Sequence, residues 1–213
     1  MNQQKELLYK YRSLKDWSRI VDILINHRLY ATSFDKLNDP MEGIYRCNSN
    51  IDVELRKRIR EEMKNASICS LSKESNIGLM WTHYADEGRG CCIEVEVTAT
   101  SWNQVPIIYD TEKPLLDTNI TDILSHKGKA WSYEQEVRYL KLPKNKTKDD
   151  QKPIKVPHFL TVNVTKLILG YKATLLDCSL LNKLITLINN NKTKGRDDIQ
   201  IERIKKQDVD FGY

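Results

Sequence analysis

The chain has 213 residues, 40% of them hydrophobic and 30% charged, with a formal net charge of +5. That balance predicts a buried core, and with 8 Gly and 6 Pro it excludes disordered, collagen-like and low-complexity chains. The length fits one compact domain over residues 1–213. No apolar run reaches the ~18 residues of a membrane span. The opening Met1-Asn-Gln-Gln-Lys-Glu6 lacks the apolar stretch of a secretory signal. No membrane association and a cytoplasmic location are therefore expected.

In chain order, Leu7–Arg12 alternates as a short strand. Asp16 precedes a helix whose apolar stripe is Trp17, Ile20, Val21 and Leu24. A strand over 28–32 leads to Asn38-Asp39-Pro40, a turn signal, because Asn and Asp bond their own backbone and Pro restricts its neighbour. A charged helix is predicted over 52–64 with a thin stripe of Leu55, Ile59 and Met63. A strand over 68–72, a short helix over 78–86 and a half-buried strand over 91–97 follow. Beyond them come a strand over 105–109, a helix over 118–126 and strands over 137–142 and 159–170. Leu180, Leu181, Leu184, Ile185, Leu187 and Ile188 have helical period, and a strand over 199–204 closes the pattern. Strands mixed irregularly with short helices predict an α+β fold with mixed central sheets and short flanking helices.

Charge is uneven. The first 112 residues carry two more acids than bases, and the remainder seven more bases than acids. Six lysines fall between Lys141 and Lys155. Such a stretch either attracts phosphate or nucleic acid or is a solvated loop, and no aromatic interleaves the lysines as a stacking platform requires. Cys47, Cys69, Cys91, Cys92 and Cys178 form no C-x-x-C pair, and the four His lack ligand spacing, so neither a disulfide framework nor a metal site is expected.

Four segments carry candidate chemistry. In Trp131-Ser-Tyr-Glu134-Gln-Glu136-Val-Arg138, a strand starting at Trp131 would put Glu134, Glu136 and Arg138 on one face. Paired carboxylates beside a guanidinium serve either as a general base and cation stabiliser or as a surface ion pair. Leu79-Met-Trp81-Thr-His83-Tyr84 is either core packing or an aromatic surface for a planar ligand. Asn38-Asp39-Pro40-Met41-Glu42 is a polar loop that either binds a ligand or turns, and Arg12 offers a fork for phosphate or ribose.

These segments occur in one order with Ser70-Leu-Ser72, with Gly90 leading into Cys92-Ile-Glu94, with Lys127 ahead of Trp131, and with Leu167-Ile-Leu-Gly170, and together they resemble the bacterial domain-of-unknown-function 2971 family. Where that family has an aromatic before Asn-Asp-Pro, this chain has Leu37. More distantly, Arg12, then Ser70-x-Ser72, then Glu134-x-Glu136 is similar to the Arg, Ser-Thr-Ser, Glu-x-Glu order of NAD-dependent ADP-ribosyltransferases of the DNA-targeting toxin type.

That resemblance implies an ADP-ribosyltransferase-like fold and an enzyme that consumes NAD as substrate, a transferase or glycohydrolase acting as a toxin or phage-defence effector. It makes Glu136 the carboxylate that stabilises the ribosyl cation and Glu134 the group that orients or activates an acceptor. It assigns NAD binding to Arg12, Ser70, Ser72, Trp81 and Tyr84, and substrate contacts to Asn38, Asp39, Glu42 and Arg138. The basic second half would attract a nucleic-acid acceptor, and a neutralising partner protein is left open. The alternative is a nucleic-acid-binding or nuclease-like module without NAD chemistry.

Overall fold

The computed structural model describes residues 6–39, 41–47, 53–116, 119–142, 158–193 and 196–212. It is an α+β protein with extensive antiparallel pairing and several helices. The chain divides into two compact units. The first comprises residues 1–29, 71–99 and 161–213; the second comprises 30–70 and 100–160.

The first unit is built on the strand Cys91–Val97. Leu7–Arg12 pairs with it antiparallel along one edge, from Leu7 opposite Glu96 to Arg12 opposite Cys91. Along the other edge runs Phe159–Leu169, also antiparallel, with a register shift between Val164 and Lys166. Its far side takes Gln200–Arg203 in parallel. The alternating pattern of 91–97 predicts one wet face, yet Cys91 to Val95 are all buried. Central position explains the difference: Glu94 is buried because Tyr9 and Thr165, on the two flanking strands, donate hydroxyl bonds to it at 3.2 and 2.8 Å.

Helix Trp17–Asn26 buries Ile20 and Leu24 as expected, with Ile23 beside them, while Trp17 and Val21 are only half-buried. The final helix runs over Leu175–Asn190, starting earlier than its apolar period, because the Thr174 hydroxyl accepts from the Asp177 N–H at 3.1 Å. Gly90 is required by close approach, since a Cβ there would lie 2.3 Å from the Arg12 carbonyl oxygen.

In the second unit, the charged helix Val53–Asn65 buries Ile59 and Met63. These pack with Ile68, Ile120, Ile123, Leu124 and Leu140 into one apolar cluster, with Leu55 against its side. The strand Ser67–Ser72, whose first four residues belong to this unit, lies beside Glu136–Lys141. Glu136–Lys141 pairs antiparallel in turn with Asn103–Pro106. The helix expected over 118–126 is shorter, Ile120–Ile123, with Asn119 accepting from the Thr121 N–H at 2.9 Å. His126–Gly128 then returns as a strand, parallel to Ile108–Asp110. The lysine-rich stretch lies outside the described residues beyond Leu142.

Candidate functional site

The strand expected over 137–142 is present as Glu136–Lys141, but it does not begin at Trp131, the start that would have put Glu134, Glu136 and Arg138 on one face. Residues Lys129–Glu134 form a 3-10 helix, Gln135 turns left-handed at φ 45°, and the strand begins only at Glu136. Glu134 therefore does not share a strand face with Glu136 and Arg138. The two carboxylates are nevertheless brought together by Lys127, whose Nζ donates to Glu134 Oε2 at 2.5 Å and to Glu136 Oε2 at 3.1 Å.

Arg138 holds Glu136 from the other side of its carboxylate, Nε to Oε1 at 2.7 Å and Nη2 to Oε2 at 3.3 Å. Its Nη1 donates to the Leu124 carbonyl at 2.8 Å, and its Nη2 is ion-paired with Glu42. The Ser70 hydroxyl also donates to Glu136. The Glu136 N–H, meanwhile, donates to the Tyr109 hydroxyl at 2.7 Å. Arg138 is 0% exposed and Glu134, Glu136, Glu42 and Lys127 are 4, 5, 7 and 8% exposed, so this is an internal ionic network. Charges so buried persist only when paired and hydrogen-bonded, and these are.

The network sets its own protonation. Burial pushes the Glu136 carboxyl up, but Arg138, Lys127 and Ser70 outweigh it and hold the group well below the usual carboxylate range. Burial wins at Glu42, whose carboxyl is raised against the pull of Arg138 and Lys127. Burial lowers Lys127, yet Glu136 and Glu134 raise it further, so it stays an ammonium. The result is one firmly ionised carboxylate, Glu136, between two cations. Trp131 adds its ring face, with Lys127 Nζ 4.8 Å from the centroid.

The Asn38–Glu42 loop delivers Glu42. Asp39 is buried; its Oδ1 accepts the Met41 N–H at 2.9 Å and its carbonyl accepts the Glu42 N–H at 3.1 Å. Gly43 follows at φ 70°, where a Cβ would meet Met63 and Phe34 at 2.6 Å. Asn38 is exposed.

Of the residues singled out in the sequence, Asn38, Asp39, Glu42, Ser70, Glu134, Glu136 and Arg138 belong to the second unit, and all but Asn38 and Asp39 meet in the network. Arg12, Ser72, Trp81 and Tyr84 belong to the first unit. There Trp81 is wholly buried, its indole N–H donating to the Ser75 carbonyl at 2.9 Å and its ring edge-on to Tyr11 at 5.3 Å. Ser72 is buried, whereas Arg12 and Tyr84 are half-buried. Burial pushes the Cys91 thiol up to about 12, which suits a core residue and not a nucleophile.

Sequence reasoning missed the role of Lys127. It lies on the short strand His126–Gly128, and Glu134 is returned to it by the 3-10 helix Lys129–Glu134, so no single local period links the two residues. It also missed Asp110 and His126, joined Oδ2 to Nδ1 at 2.6 Å across two short parallel strands. No cluster of three or more metal-ligating side chains occurs among the described residues, and no helix there is long and apolar enough to cross a membrane.

No family model, curated protein or solved structure matches the chain.

Proposed function

We propose that the protein cleaves the nicotinamide–ribose bond of NAD, as an ADP-ribosyltransferase-like enzyme or an NAD glycohydrolase, with Glu136 as its central carboxylate. The observation that supports this reading most is the contact of Ser70 with Glu136, which joins the Ser-x-Ser strand to the Glu-x-Glu segment in one cluster. Breaking that bond develops an oxocarbenium-like cation on the ribose, and a fixed, ionised carboxylate stabilises it. Arg138 and Lys127 keep Glu136 ionised and fix its orientation, while Glu42 braces Arg138. The reading's wider setting, a member of the domain-of-unknown-function 2971 family acting as a cytoplasmic toxin or phage-defence effector on a nucleic-acid acceptor, is part of the same proposal.

A second reading, a nucleic-acid-binding module in which the cluster only braces the fold, is favoured by the full pairing and burial of Glu136. Incubation with adenine-labelled NAD and, separately, water alone, DNA, RNA or cell extract tells the two apart. Free ADP-ribose or label on an acceptor, absent with Glu136→Gln, supports the enzyme. Intact NAD in every arm, with salt-sensitive nucleic-acid binding, supports the module.

A further inference from the structure

Glu134, the residue the resemblance names to orient or activate the acceptor, is poorly placed to activate it. Its carboxylate is buried and clamped on Lys127 at 2.5 Å, so taking a proton there means breaking a charged pair inside the core. Within the same unit lies a cavity of about 220 Å³, walled by residues that include Met41, Tyr45, Asp110, Lys113, His126 and Lys127. Lys127 thus connects the ionic network to the cavity, and the next residue back in the chain, His126, offers a different base.

The Asp110 carboxylate accepts from His126 Nδ1 at 2.6 Å, while the two side chains keep 15% and 25% exposure between them, His126 the lower. A carboxylate on Nδ1 fixes the neutral imidazole tautomer whose Nε2 carries a lone pair. The backbone supports the arrangement, since His126–Gly128 pairs in parallel register with Ile108–Asp110. A carboxylate, an imidazole with one nitrogen committed, and a cavity that this histidine helps to line are the parts that general-base catalysis needs.

We infer that the Asp110–His126 pair is the general base of this cavity, with His126 Nε2 taking the proton from a water or hydroxyl acceptor. This rests on the NAD-cleaving reading above. In the step, the ribose C1′–N bond breaks and its electron pair leaves on nicotinamide. The acceptor oxygen forms the new bond to C1′, its proton passes to Nε2, and the imidazolium later releases it to solvent. With water the sum is NAD and water giving ADP-ribose, nicotinamide and a proton. Asp110 is a positioning residue that also stabilises the imidazolium.

The test compares NAD cleavage by the wild type, His126→Ala and Asp110→Asn, with NAD affinity measured alongside and imidazole added to the His126→Ala reaction. The expected result is a loss of ~10²–10⁴-fold in kcat for His126→Ala, with NAD affinity unchanged and part of the rate restored by imidazole. Asp110→Asn is expected to lose less and to gain nothing from imidazole. An active wild type with an equally active His126→Ala overturns the base and leaves the NAD reading standing. So does a loss in His126→Ala that falls on NAD affinity alone and is not rescued. A wild type that neither binds nor cleaves NAD overturns the reading and the base together.

Discussion

At the scale of single residues, Arg138 organises the second unit's buried charge. Its guanidinium serves Glu136, Glu42 and the Leu124 carbonyl at once, and the fork geometry is one a lysine cannot reproduce. Arg138→Met takes the guanidinium from two buried carboxyls, Glu42 and Glu136, and is expected to cost about 3–5 kcal/mol, read from the urea midpoint. Glu136 makes a different, pH-dependent contribution. Because its folded carboxyl is held below the ordinary value of 4.5, its stabilisation is complete above that pH and fades as pH falls toward the folded value. Glu136→Gln should flatten this acid limb of the stability profile; an unchanged slope contradicts the assignment. In the first unit, burial and then Arg196 lower the imidazole of His27, whose Nδ1 accepts the Val164 N–H at 3.1 Å. Its contribution is present above the ordinary 6.5 and is lost as pH falls below it, so His27→Gln should remove a slope at higher pH than Glu136 does.

At the scale of elements, the turn before the Glu136–Lys141 strand decides the site. Gln135 holds φ 45°, a conformation that costs side chains other than Gly, Asn and Asp. It lets Glu134 finish a 3-10 helix and Glu136 open a strand while both carboxylates reach Lys127. Gln135→Gly is expected to be neutral or mildly stabilising, whereas Gln135→Val should cost about 1–3 kcal/mol through backbone strain. Equal melting temperatures for the two variants would show that the turn is not strained. This is also the element the sequence concealed. Alternating Glu134, Glu136 and Arg138 look like one strand face, and no residue in Tyr-Glu-Gln-Glu signals a left-handed turn. The longer elements were legible because their period is local: Ile59 and Met63 face inward on Val53–Asn65 as spaced, and Leu7–Arg12 is a strand at the expected bounds. Thr174 shows the limit of period alone, since its cap starts the last helix at Leu175, ahead of the apolar stripe.

At the scale of the whole molecule, the α+β class follows from strands and helices that alternate irregularly, and the structure has that class. Both faces of Cys91–Val95 are buried, and at Glu94 side chains of the two neighbouring strands, Tyr9 and Thr165, supply the partners, a tertiary fact that no single-strand pattern contains. The candidate residues were legible as types but not as a constellation. Glu42, Glu134 and Glu136 meet through Lys127 and Arg138, and Ser70 joins through Glu136, so the chain must fold before Glu42 and Ser70 reach the 127–138 segment. His126 and Asp110 were invisible for the same reason, joined only by a short parallel pair. Nicotinamide release by the purified protein tests most directly whether this ionic network is the centre of the proposed NAD cleavage. Wild-type protein should release nicotinamide from NAD, and Glu136→Gln, shown by circular dichroism to keep its fold, should not. Release that persists in Glu136→Gln, or a folded wild type that releases none with water, DNA, RNA or cell extract, would contradict it.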